Sequence, residues 1–386
     1  MTTRDDGAVA GCPLPRARRV FDDGARLGWH SGAQISVVTL DGDEQHVAWG
    51  HAVPDGREMD VHMVFPLFCA ARPVLAIAIA QLAFEGALGL DDPVALYIPG
   101  FERNGKALAT VRHVLQHRVG FGPDPVEASV GNWSEKVAAV CGAAVDPDHV
   151  GRRVWYQPAS FWYVLGEIVM RLRGSPLAEA LRAHVVTPLG LHEMWMGMTP
   201  SAYAEARSRL ATVADLRKDA DPFLIDLGSA AVCCDYGPLS PRSSIAQLAS
   251  FYRELLSADA PGRLGLDDLT FRSLRTPQAG LAPDGHFGVT TDVGLGVQVE
   301  SRRHGRASTW FGAHCSHQTF GYYGAAGILG FADPEAGIAL AMGFNGQGNP
   351  LRNRFRRHAV VKAIYEDIGS AATRRPRGTA RRDEAK

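Results

Sequence analysis

Cys69 and Arg72, three residues apart in VFPLFCAARPVLAIAIAQLAFEG, are the pair in this 386-residue chain best suited to chemistry. Proline is tolerated in a helix chiefly within its first turn, so Pro73 predicts a helix that starts within a few residues of Cys69. A thiol there meets the positive end of the helix dipole, and Arg72 falls on the same helix face. Guanidinium keeps its charge near neutral pH, so both effects favour thiolate, the nucleophilic form of cysteine. The plainer alternative makes Cys69 a small buried apolar residue and Arg72 a surface charge.

The elements that must position this pair follow from periodicity and punctuation. Runs 33–40 and 44–50 are β-rich and flank Asp41-Gly42-Asp43, which predicts a hairpin. A dense apolar helix follows from Arg72 to Leu88. TVRHVLQHRVG, ASFWYVLGEIVMRLRG and PLAEALRAHVVTPLG read as helices that each stop at glycine, and SSIAQLASFYRELLSA as an amphipathic one. VGLGVQVES, ASTWFGA, AGILGFAD and GIALAMGFN read as strands, and 355–368 as a last helix. Strands at both ends with helices between predict an α+β fold, an antiparallel sheet flanked by helices and carrying an inserted helical region. The expected organisation is a flexible lead-in over 1–20, one domain over 21–368 and a disordered basic tail over 369–386. Within the domain the sheet part takes about 21–72 and 243–368, and the helical part about 73–242.

Composition narrows the partners. Hydrophobic residues make up 46% and charged ones 21%, with a net charge of -1, so small molecules are expected, and neither nucleic acid nor a membrane. The basic residues comprise 35 Arg and five Lys, so arginine is the cation this chain uses. The first residues lack an apolar leader, and the longest apolar run, near 74–84, is short of the roughly 20 residues that span a bilayer; a cytoplasmic protein is expected. Six cysteines without regular spacing are then free thiols.

Four blocks in order carry a resemblance: FPLFCAARPVLAIAIAQLAFEGALGLDDPV, TVRHVLQHRVGF, YQPASFWYVLGEIVMRLRG and FGYYGAAGILGFADPEAGIALAMGFN. From about 21 to 345 the chain resembles the β-lactamase-related serine hydrolases, which include class C β-lactamases, penicillin-binding proteins, esterases and acyltransferases. The resemblance implies a β-lactamase/transpeptidase-like fold. In that family a Ser-x-x-Lys serine attacks the acyl carbon, its lysine is the base, and a tyrosine moves the proton. Backbone N–H groups of the nucleophile and of the third-motif strand hold the oxyanion. Carried over, these roles fall on Cys69, Arg72 and Tyr156; Tyr322 takes the place of the third-motif histidine and is followed by Tyr323 and Gly324. No Ser-x-x-Lys and no Gly-x-Ser-x-Gly occurs anywhere in the chain. Arginine cannot deprotonate a hydroxyl, whereas a permanent cation helps a thiol, so the two replacements compensate each other chemically. Arg72 could also hold a substrate carboxylate or phosphate bidentately.

The expected function is covalent acyl transfer through a Cys69 thioester, in a biosynthetic acyltransferase using a thioester or activated ester. Arg72 holds the thiolate, Tyr156 handles the proton, and the N–H groups of Cys69 and the Tyr323 region form the oxyanion hole. Tyr322, Tyr323, Gly324 and Trp162 line the substrate site, and the aromatic residues Trp155 and Phe161 add to an apolar or aromatic pocket. Ester or amide hydrolysis, or a binding protein without turnover, are the alternatives. Partners are a small-molecule acyl donor and acceptor, including an acyl group borne by a carrier protein; no cofactor or metal is expected. His314, Cys315 and His317 look ligand-like, but on a strand only Cys315 and His317 share a face, and zinc needs more. Cys233-Cys234 reads as loop or core, His113 and His117 as structural, and Gly294-Leu-Gly296 as strand.

Overall fold

The Asp41-Gly42-Asp43 turn, with Gly42 at φ 90°, closes the hairpin of β1 (Gly32–Thr39) and β2 (Glu44–Gly50) in the computed structural model. The structure describes residues 12–374 apart from 53–55, 127–130, 217–222, 226 and 279–281. Five further strands come from the other end of the chain: β3 (Asp292–Val293), β4 (Gln298–Val299), β5 (Phe320–Tyr323), β6 (Leu329–Asp333) and β7 (Ile338–Phe344). They join the hairpin in an antiparallel sheet of order β2-β1-β7-β6-β5-β4-β3, with Ala33 opposite Phe344 and Thr39 opposite Ile338.

Helices cover both faces, which is why β1 and β7 are buried along almost their whole length instead of alternating between buried and exposed positions. Helices α1 (Pro15–Arg26) and α6 (Pro350–Arg374), with α2 (Arg72–Phe84), α3 (Val111–Leu115), α4 (Ser160–Arg173) and α5 (Ile245–Glu254) between them in the chain, pack together over Ile35, Val37, Leu340 and Met342. Helix α5 lies on the opposite face over Val38, Ala339 and Ala341. Small residues let it approach: a Cβ on Gly330 would meet the Tyr252 ring at 2.2 Å, and one on Gly343 would meet Ile245 at 2.7 Å.

Between the two strand groups lies the helical region. Its central helix, Arg72–Phe84, is buried from Arg72 to Leu82, so it is apolar all round. It packs against Ser160–Arg173, whose C-terminus closes on Gly174 at φ 67°, in the left-handed region that glycine enters without cost.

Several expected boundaries move. Helix α1 starts at Pro15, so the lead-in is structured from there and not from 21; α6 runs on to Arg374, into the expected tail, and 1–11 and 375–386 lie outside the described residues. ASTWFGA is not a strand, because the Glu300 carboxylate takes the Phe311 N–H at 3.0 Å and holds the segment as a loop. TVRHVLQHRVG is helical only over Val111–Leu115, with His117 at φ 57° just beyond. No helix among the described residues is long and apolar enough to cross a membrane.

The two chain ends are tied by one carboxylate. Leu14, preceding α1, offers no side-chain cap, and the buried Asp367 of α6 instead accepts the N–H groups of Arg16 and Ala17 at 3.0 and 3.1 Å. Asp367→Ala strands both donors and is expected to cost about 2 kcal/mol, read as a lowered midpoint in urea unfolding.

Candidate active site

Cys69 sits in a short 3-10 turn, Phe68–Ala71, that leads directly into the helix at Arg72. Phe68, just before it, holds φ 49°, a conformation worth of order 1–3 kcal/mol of strain for a bulky residue. The surroundings enforce it: Leu67 N–H donates to Pro241 O at 2.9 Å, and Ala70 N–H returns to Leu67 O at 3.0 Å. The turn leaves the Cys69 sulfur half-buried at the wall of a cavity of about 470 Å³. Tyr156, His286, Phe287, Trp310, Tyr323 and Arg357 are among the residues around that cavity.

A second strained turn faces the first. At the end of β5, Gly324 packs so closely on the cysteine turn that a Cβ would meet Leu67 O at 2.8 Å and the Phe68 Cβ at 3.1 Å. Tyr323 N–H is taken by Gln298 Oε1 at 3.3 Å and Gly324 N–H by Ile328 O at 2.8 Å, so neither is free for an oxyanion. The next N–H, on Ala325, meets no acceptor among the described residues; nor does that of Cys69, in the first turn of its helix. Both residues line the cavity. Ala326 holds φ 55°, and its N–H is bound by Gln347 Oε1 and its carbonyl by Arg356 at 3.2 Å. Of the N–H groups expected to be open at Cys69 and the Tyr323 region, those left without an acceptor among the described residues are on Cys69 and, two residues beyond Tyr323, on Ala325.

Arg72 lies behind the cavity, 1% exposed. Its Nη2 donates to the carbonyls of Gln157 and Pro158 at 2.8 and 2.6 Å, and its Nη1 to Tyr322 Oη at 3.1 Å. The Tyr156 and Phe161 rings lie 4.7 and 4.6 Å from the guanidinium carbon. With its fork committed to carbonyls and no place in the cavity wall, it is not positioned to take a substrate carboxylate or phosphate. No hydrogen bond joins it to Cys69, so it acts on the sulfur through space; burial works against its charge, while Tyr156, Tyr322 and Cys69 raise its pKa.

The aromatic candidates separate. Tyr156 opens onto the cavity, and burial keeps its phenol protonated far above the ordinary tyrosine range, Arg72 opposing. Tyr322 is buried against Arg72 and pushed up to about 12 by burial, so it supports the arginine and does not line the substrate space. Trp162 belongs to the helical core, its Nε1 donating to Tyr236 O at 2.8 Å, and Trp155 and Phe161 are likewise outside the cavity wall. His117 is held far below its usual pKa by burial and then by Arg72; its Nδ1 accepts Gln157 N–H at 3.2 Å, which leaves Nε2–H for Tyr322 Oη. His113 caps its own helix, accepting Thr110 N–H at 3.3 Å. Burial pushes the Cys315 thiol up, and among the described residues no three His, Cys, Asp or Glu side chains gather as metal ligands.

The family pattern described as Beta-lactamase matches residues 17–364. The chain belongs to the beta-lactamase family. That membership carries an α+β β-lactamase/transpeptidase fold. Esterase EstB of Burkholderia gladioli is 32% identical over 46% of this chain and 50% of its own length. Esterase/beta-lactamase LipL of Mycobacterium tuberculosis is 25% identical over 81% of this chain and 76% of its own. The match thus spans about half of the first relative and three quarters of the second. The solved structure of EstCE1, titled a hydrolase with promiscuous acyltransferase activity, superposes with a TM-score of 0.74 at 19% identity, covering 92% of this chain and 98% of that one.

Within this beta-lactamase-family cavity, His286, Trp310, Ala325, Gln347 and Arg357 escaped the sequence reading. Arg357 alone left a signal: it occupies the stripe of α6 that also carries Val360, Val361 and Ile364, where a charge is out of place. It lies 4.5 Å over the Tyr323 ring, is pushed down to about 10 by burial, and meets no acceptor among the described residues. Gly324→Ala, by driving a methyl group into the cysteine turn, is expected to slow Cys69 alkylation by iodoacetamide about tenfold or more while the protein still folds, as judged by circular dichroism.

Proposed function

We propose that the chain cleaves an activated acyl compound through a Cys69 acyl-thioester and passes the acyl group to water or another small nucleophile. Supporting it most directly is the placement of Cys69 between a buried permanent cation and two unengaged N–H groups, at the wall of a cavity open to substrate. Arg72 favours the anionic sulfur without needing to remove its proton. The thiolate attacks the acyl carbon, the Cys69 and Ala325 N–H groups take up the developing oxyanion, and Tyr156 protonates the leaving group. Activated esters and thioesters are the fitting donors, since an alkyl ester would have to form a less stable thioester.

The names of EstB and LipL favour ester hydrolysis over the biosynthetic transfer expected first. The same acyl-enzyme serves both, with the acceptor deciding the product. Arg357, without a partner across the cavity, suits a donor or acceptor that bears a carboxylate.

Incubation with an activated thioester or p-nitrophenyl ester is expected to add one acyl mass to the protein, at Cys69, and nothing to Cys69→Ala. Absence of an adduct across a broad donor panel leaves the binding-protein alternative in its place. Cys69→Ser is expected to lose at least a thousandfold in turnover, because no lysine stands behind the hydroxyl; a fully active serine variant refutes the thiolate mechanism. Arg357→Gln is expected to raise KM about tenfold for carboxylated donors and to leave it unchanged for their amides.

A further inference from the structure

A thioester formed at Cys69 must be opened by a nucleophile that loses a proton, and the family's lysine is not there to take it. Among the described residues around the cavity there is no Asp, Glu or Lys. Its arginines stay protonated, and burial keeps Tyr156 and Tyr323 as neutral phenols. Imidazole is the remaining side chain that takes up a proton near neutrality, and the cavity has one, His286.

The geometry marks His286 in two further ways. Neither of its ring nitrogens is hydrogen-bonded among the described residues, whereas His117 has both engaged and is buried. The His286 ring is exposed and 5.4 Å from that of Tyr156, centre to centre. Both are anchored by one carboxylate. Asp284, itself 3% exposed, accepts the N–H of Tyr156 at 3.2 Å, of His286 at 2.8 Å and of Phe287 at 3.4 Å through the same oxygen. Gly285 N–H donates to Val154 O at 3.0 Å, and a Cβ at 285 would run into the Trp155 ring at 2.1 Å. The histidine loop is thereby docked onto the strand of chain that carries Tyr156.

We infer that His286 is the general base of deacylation, with Asp284 as the residue that positions it against Tyr156. This rests on the acyl-thioester reading above. As the oxygen of water or an alcohol attacks the Cys69 thioester carbonyl, its proton passes to His286. The tetrahedral oxyanion rests on the Cys69 and Ala325 N–H groups. It collapses by breaking the carbon–sulfur bond, which returns Cys69 as thiolate beside the Arg72 field. The proton on His286 passes to solvent, matching the one that Tyr156, having given its own to the first leaving group, draws back from solvent before deacylation. Donor and acceptor are thereby converted to acylated acceptor and protonated leaving group, with every enzyme group back in its starting state.

The two half-reactions separate in a rapid-mix assay with p-nitrophenyl acetate. In His286→Gln the burst of p-nitrophenolate is expected to keep its amplitude and rate. Its steady state should fall on the order of a hundredfold, the acetyl-protein should accumulate by intact mass, and added imidazole should restore turnover. Asp284→Asn, which retains an acceptor oxygen, is expected to lose less. An acetyl-Cys69 lifetime equal in wild type and His286→Gln, or a burst that falls in step with the steady state, overturns the assignment. A wild-type Cys69 that never acquires an acetyl group overturns the acyl-enzyme reading itself, and the two failures are distinguished by the wild-type mass alone.

Discussion

A guanidinium buried to 1% exposure without a carboxylate beside it is the constraint around which the active site is organised. Removing such a charge from water costs several kcal/mol, so Arg72 is tolerated only because carbonyls, a phenol and three aromatic rings surround it. Those groups come from separate parts of the chain: residues 156–161 on the helical side and Tyr322 on β5 of the sheet. Satisfying one cation therefore sets the spacing between the cysteine turn, the Tyr156 loop and the strand that ends in the second N–H donor. A lysine, with one point of charge and a flexible stem, could not span the same set of acceptors.

The same device recurs on the other loops that shape the cavity. Arg242, 1% exposed, donates to the carbonyls of Leu227, Leu239 and Pro241, and Pro241 is the residue whose carbonyl receives Leu67 before the cysteine turn. Arg356 donates to Trp29, Ala326 and Gly346 carbonyls, which fixes the strained turn after Ala325. The excess of arginine over lysine thus has a structural use. Planar forks tie together backbone segments that have no regular hydrogen-bonding partner, and so hold Phe68 and Ala326 in conformations that an isolated loop would abandon. Arg357 breaks this pattern, since it is buried like the others yet bonds to nothing among the described residues.

The sheet was legible because its signals are local. The 44–50 strand and the turn before it follow from a β-rich run bounded by Asp-Gly-Asp, and Pro73 marks the helix start to within a residue or two. The cysteine and arginine were visible as types, and Tyr156 through its motif. Their surroundings were not, because they depend on contacts between residues far apart in sequence. Trp162 was read as pocket-lining when a carbonyl from residue 236 satisfies its nitrogen inside the helical core. His286 lies in a loop with no periodicity, 217 residues from Cys69, and the Asp284 carboxylate together with the Gly285–Val154 backbone bond brings it beside Tyr156. ASTWFGA has strand composition, but a buried glutamate diverts its backbone.

Charge distribution bears on the thiol proposed as nucleophile. Arg72 lies behind the cavity and Arg354 and Arg357 on its wall, with no acidic side chain among the described residues that line it, while the Asp284 and Glu300 carboxylates act from outside the wall. A positive field stabilises any anion, but by a few pKa units at most for a partly exposed group. An aliphatic hydroxyl ionises too reluctantly for a shift of that size to matter at neutral pH, and it must be deprotonated by a base at the moment of attack. Thiols as a class ionise far closer to neutrality than hydroxyls, which is why the proposed mechanism asks for no base behind the sulfur. The same field disfavours a nearby cationic acid, which agrees with a neutral phenol, Tyr156, standing next to Arg72. The imidazole of the wall, His286, stands by contrast exposed to water, where charges are screened.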